Sequence, residues 1–174
     1  SDAVESVVAR LVDRNVETLV PAVGMAVVGA SRYAERPADV VGVDGRLTAT
    51  RSGIRPTAGI RAGGSPALAR ELLAVRELFP DLRFALNCRF DDSVETALAA
   101  LDGPVIESSE PDREGVDRLD QTLPVVGVDD ATEPPVAVVD RGGEGRPPGV
   151  VVLAADAETL LDRTLQLHDA LITE

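Results

Sequence analysis

Lysine and tryptophan are absent from this sequence, and cysteine, histidine, methionine and tyrosine occur once each. A single thiol, Cys88, cannot form an internal disulfide and fits a reducing, cytoplasmic compartment. One histidine and one cysteine leave no cluster with the ligand spacing of a structural zinc site. A Ser-His-Asp triad would have to use His168, which falls near the end of the last predicted helix, where an imidazolium suits the helix dipole better than catalysis. Aromatic residues amount to 2%, so the core must be built from Val, Leu, Ile and Ala. No apolar run approaches the ~20 residues needed to span a bilayer. The start, Ser1-Asp2, carries no signal-peptide pattern and is read as the edge of a domain excised from a longer protein. Net charge is −13, with 30 acidic residues against 17 arginines. That balance argues against this domain gripping nucleic acid or an anionic membrane by itself, since both need a basic face.

What is present is an apolar fraction of 44% in 174 residues, enough for one domain, 1–174, with a real core. Val4, Val7, Val8, Leu11, Val12, Val16, Leu19 and Val20 form one helical stripe over 4–20, with Asp2 and Glu5 as a capping box. Val23 to Val28 reads as a strand. Asp39–Val43 and Arg46–Thr50 flank Asp44-Gly45, the strongest local signal for a hairpin. Ile54 to Ile60 predicts another strand. Ser65-Pro66 opens a helix whose stripe runs through Leu68, Leu72, Val75 and Phe79 to Pro80. Then come a strand over 84–89, a helix over 92–101 boxed by Asp92 and Glu95, and a short strand at 105–106. Residues 107–135 are acidic, proline-bearing and weakly periodic, a length that points to a functional or mobile segment. Strands at 136–139 and 150–153 follow, and a helix capped by Asp156 closes the chain. The mixture predicts an α/β domain with a mixed sheet flanked by helices.

Four places carry candidate chemistry. Ala62-Gly63-Gly64-Ser65 opens a helix, so glycine backbone and unpaired helix N–H groups suit a phosphate; the alternative is a plain turn whose glycines serve geometry. Arg46, just past the Asp-Gly turn, is able to fork onto a phosphate or to sit solvated. Asp140-Arg141-Gly142-Gly143-Glu144-Gly145-Arg146 is a second glycine-rich loop, without the ending of a P-loop, and reads either as a ligand loop or as a hairpin loop. Asn87 lies inside an apolar strand, where its amide must bridge structure or meet a ligand. Cys88 reads as a small core residue.

Several of these segments together resemble the ThiN family, the archaeal thiamine-phosphate synthase domain. The matching pieces run in order: Val23-Gly24-Met25-Ala26-Val27-Val28, Asp39 to Leu47, Gly63-Gly-Ser-Pro-Ala-Leu-Ala-Arg70, Arg83 to Phe90, and Asp140 to Pro148. The resemblance implies a three-layer α/β/α domain with a mixed, largely antiparallel sheet, of the AraD/HMP-PK kind. It also implies a thiamine phosphate or thiamine diphosphate ligand, held by Arg46, Gly63, Gly64, Ser65, Asn87, Asp140, Gly143 and Arg146. Active members join a pyrimidine diphosphate to a thiazole phosphate. The histidine associated with that catalysis falls here on Ala67, Ala26 stands where the family usually has Asn, and Arg146-Pro147 replaces a usual Lys-Glu. Alanine has no proton to give and no charge to hold a leaving diphosphate. Similar domains behind a helix-turn-helix sense thiamine phosphates without making them, and that sensor role is the expectation here, ahead of synthase. No cofactor is required on this reading, apart from Mg²⁺ accompanying a diphosphate. A homodimer is the default assembly, and DNA would be reached only through a separate domain. The acidic excess with arginine in place of lysine resembles proteins that work in concentrated salt, and implies solvation rather than an acidic docking face.

Overall fold

The computed structural model describes residues 2–21, 24–43, 46–51, 53–56, 59–107, 133–142, 145 and 147–172. Most of the 107–135 segment, together with the predicted site residues Gly143 and Arg146, lies outside them. The elements are α1 (Asp2–Arg14), β1 (Val27–Gly29), β2 (Val41–Val43), β3 (Leu47–Thr50), β4 (Gly53–Pro56), β5 (Ile60–Ala62), α2 (Pro66–Arg76), β6 (Phe84–Arg89), α3 (Asp92–Ala97), β7 (Val105–Glu107), β8 (Ala137–Asp140), β9 (Gly149–Ala154) and α4 (Ala157–Ile172). Seven strands form one sheet in the order β5-β2-β1-β6-β9-β8-β7, and β3 with β4 forms a separate ribbon. Among the described residues only β7 and β8 run parallel; the other pairs are antiparallel. The sheet is therefore mixed and largely antiparallel, as expected.

Alternation along the strands explains the layers. In β6, Leu86 and Cys88 join the cluster of Val4, Leu11, Val94 and Leu160, which belongs to α1, α3 and α4. Ala85, on the opposite phase of the strand, joins Leu68 and Leu72 of α2. Helix α2 thus covers one face and the other three helices cover the opposite one. Among the described residues, no helix is long and apolar enough to cross a membrane.

Local signals were overruled in several places. The helical stripe stops at Arg14 because Asn15 takes a left-handed backbone, φ 52°. Val16 and Leu19 still reach the core, through a 3₁₀ turn at Glu17–Leu19. Asp2 is the first helical residue rather than a cap. β2 and β3, which flank the predicted Asp44-Gly45 turn, do not pair: β2 pairs with β1 and β5, so both of its edges are taken, and Asp44 and Gly45 themselves lie outside the described residues. β3 turns away, and Leu47 pairs with Met25 and is fully buried. The hairpin that does form is β3–β4, closed at Gly53 (φ +115°), with Thr50 donating to the Gly53 carbonyl. The single strand expected over 54–60 is split into β4 and β5. Helix α2 ends at Arg76, before Phe79. Asp91, not Asp92, caps α3, accepting from the Val94 amide at 3.0 Å. Asp156 caps α4 as expected, accepting from Thr159 at 2.7 Å.

Candidate functional site

One end of the sheet gathers three of the predicted residues, Arg46, Asn87 and Asp140. There β6 and β8 finish opposite the start of β9, with Arg89 and Asp140 both facing Gly149. Arg46 reaches this end through Gly24, just ahead of β1. Its Nη1 donates to the Gly24 carbonyl at 3.4 Å. The Asn87 amide Nδ2 donates to the same oxygen at 3.5 Å, while its Oδ1 accepts from the Ala26 amide at 2.5 Å. Arg46 and Asn87 therefore meet on one carbonyl. Only glycine permits this: Gly24 has φ +98°, and a Cβ there would lie 2.5 Å from the Arg46 Cβ.

The glycine turn is stitched to β2. The Gly63 amide donates to the Val40 carbonyl at 2.8 Å, and that of Gly64 to the Arg61 carbonyl at 3.2 Å. Ser65 stands at the cap position of α2, yet its hydroxyl donates to the Val43 carbonyl at 2.7 Å instead of capping. The two glycine amides are thus spent on the protein itself. What faces outward is the first turn of α2, whose amides have no side-chain cap from Ser65 and whose Pro66 offers no N–H. Ala67 is exposed in that turn.

Glu71 completes this end, and the sequence reading missed it. Four residues after Ala67, it shares that face of α2. It is half-buried, and its carboxyl is pushed up to about 7, first by burial and then by the nearby Asp140 carboxylate. Asp140 ends β8 and accepts from the Gly142 amide at 2.9 Å. The i, i+4 spacing from the turn into the helix was the available signal for Glu71. The site thus has two cationic features, Arg46 on the Gly24 carbonyl and the positive end of α2 tied through Ser65 to Val43, and an acidic pole, Glu71 with Asp140.

Other charged and reactive residues have structural work. Arg141 bridges Glu95 at 2.6 Å and Glu107 at 2.9 Å, raising its own affinity for its proton, and lies 5.5 Å over the Phe90 ring. His168 is buried and shares a 2.8 Å hydrogen bond with Thr18, tying α4 to the 17–19 turn. Cys88 is buried on the α1/α4 face, with its thiol pushed up to about 12 by that burial. Among the described residues, no group of three or more His, Cys, Asp and Glu side chains could hold a metal ion.

A family model described as thiamine-phosphate synthase ThiN matches residues 3–166. Thiamine-phosphate synthase ThiN of Methanothermobacter thermautotrophicus is 30% identical over 156 residues, which cover 86% of this chain and 81% of that protein. The C-terminal domain of a phosphomethylpyrimidine kinase has the same fold, with a TM-score of 0.84 at 22% identity over 95% of this chain and 96% of that one. The C-terminal domain of protein MJ0236 gives a TM-score of 0.83 at 20% identity, over 99% and 94%.

Proposed function

Because the chain belongs to the ThiN family, we propose that it is a ligand-binding sensor domain that takes thiamine phosphate or thiamine diphosphate without making it. One observation carries this reading: the exposed first turn of α2, at the Arg46 end, presents a methyl group at Ala67. A side chain able to pass a proton or hold a departing diphosphate is missing from that place. Binding needs neither. The ligand phosphate sits at the first turn of α2 with Arg46 forked onto it. The cationic thiazolium faces Glu71 and Asp140, and Asn87 keeps Gly24 and Arg46 in position. A diphosphate brings Mg²⁺ with it, and two carboxylates are the hard oxygen donors that ion prefers. Control of thiamine biosynthesis or transport genes then passes to DNA through a separate domain.

Calorimetry tests binding and a coupled assay tests synthesis. Thiamine phosphate should bind saturably, and the two phosphorylated precursors with Mg²⁺ should give no thiamine phosphate above background. Arg46→Ala should weaken thiamine phosphate about 10–100-fold, the worth of a charge-assisted hydrogen bond, and leave free thiamine nearly unchanged. Equal weakening of both ligands would refute the phosphate role of Arg46. Synthase is the second reading, favoured by Glu71, whose pKa of about 7 suits proton transfer near neutrality. Steady product formation from the two precursors would establish it in place of the sensor.

A further inference from the structure

The far end of α2 holds a different arrangement. Arg76 is its last residue, ~15 Å from Pro66 at the rise of an α-helix. One guanidinium nitrogen, Nη2, donates to the Arg32 carbonyl at 3.2 Å. The other two, Nε and Nη1, are buried with no hydrogen-bond partner. Arg83 arrives at the same place. Its carbonyl accepts from the Ala30 amide at 2.7 Å, two residues before Arg32. Burial, and then the charge of Arg83, hold the Arg76 guanidinium below its ordinary value. Arg32 lies 6.0 Å from the ring centre of Tyr33, which is 79% exposed.

Among the described residues, none of Arg32, Arg76 and Arg83 is ion-paired. That is unusual in a chain with 30 acidic residues and only 17 arginines. Glu77 and Asp81 are close in sequence, but both are exposed and neither pairs with them. Buried donors of a cation are costly to leave unmatched, and two like charges side by side add to that cost. A single bound oxyanion would remove both penalties.

We propose that Arg32, Arg76 and Arg83 form a second anion site, which takes a phosphate-type oxyanion at the end of the sheet away from Arg46. The planar fork of Arg76 meets two oxygens of such a group, with Arg83 and Arg32 beside it. Arg76 as a residue is only half-buried, so rotation about its own side-chain torsions brings Nε and Nη1 to the ligand. The phosphate is free in solution or carried on a small molecule whose ring stacks on Tyr33. This site stands whether or not the chain binds a thiamine phosphate.

The test uses the Arg46→Ala protein, to silence the first site, with inorganic phosphate and adenosine monophosphate as probes in chloride-free buffer. Calorimetry should find one phosphate per chain, and adding Arg76→Met or Arg83→Met should weaken it at least tenfold. Tighter binding of the nucleotide, levelled by Tyr33→Ala, assigns the phosphate to a ring-bearing molecule; equal binding assigns it to free phosphate. In phosphate-free buffer Arg76→Met should melt at or above the unsubstituted protein, because methionine keeps the stem and removes an unmatched cation. Phosphate binding by Arg46→Ala/Arg76→Met as tight as by Arg46→Ala alone, no binding by Arg46→Ala, or a melting point for Arg76→Met well below that of the unsubstituted protein would each overturn the proposal.

Discussion

Glu71 is the residue on which pH should act. With its carboxyl raised to about 7, the folded protein keeps a proton that the unfolded chain releases above its ordinary value of 4.5. Its contribution is complete below pH 4.5 and is lost as pH rises to about 7. Glu71→Gln cannot ionise and keeps that contribution. At pH 8 it should be more stable than the unsubstituted protein by about 1–2 kcal/mol, discounted for the solvent the side chain still meets. At pH 4.5 the two should match, and urea midpoints at both values check it. The same difference at both pH values would remove the titration argument. Asn87 shows what a sequence reveals at this scale. A lone amide in an apolar strand had to find partners, and it found the Ala26 amide and the Gly24 carbonyl. Glu71 was not legible, because an acidic residue in an amphipathic helix is ordinary until its neighbour across the fold, Asp140, is known.

Helix α2 is the element that links the two ends of the sheet. Its start depends on a close approach of backbone to backbone, and the two glycines of the turn contribute differently. A Cβ on Gly64 would stand 2.3 Å from the Gly42 carbonyl oxygen, so Gly64→Ala must move β2 or the turn. A loss of about 2 kcal/mol or more is expected, as for overpacked sites. Gly63, at φ +78°, has its nearest neighbour at 3.7 Å. Gly63→Ala should cost only about 1 kcal/mol, the strain of a left-handed alanine. Chemical denaturation ranks the two; Gly63→Ala as the worse substitution would contradict this packing. Strand β6 and the cap at Asp156 were legible because their signals are local and nothing competes with them. The Asp44-Gly45 hairpin was not, although its local signal was stronger. Strand β2 has two neighbours, and sheet pairing with β1 and β5 outweighs what a turn of two residues prefers.

At the scale of the whole molecule, a net charge of −13 opposes compaction. Raising KCl from about 0.1 to 1 M shortens the Debye length from ~10 to ~3 Å, so the melting temperature should rise by several degrees at pH 7. The rise should shrink near the isoelectric point of 4.4, where little net charge remains to screen. A melting temperature indifferent to salt at pH 7 would mean that self-repulsion is not what limits stability. The sequence by itself determined the class of the molecule: a Val- and Leu-rich core, strands and helices mixed along the chain, an acidic exterior and a glycine turn ahead of a helix. These follow from composition and short-range periodicity, which act within a few residues. Only the tertiary structure decided how the glycine turn is used. Its own amides close on Val40 and Arg61, and the exposed first turn of α2 beyond it faces outward instead, on the helix that carries Glu71 to Asp140. Val40, Arg61 of β5, Glu71 of α2 and Asp140 of β8 lie apart in the chain, and only the order of strands in the sheet brings them together.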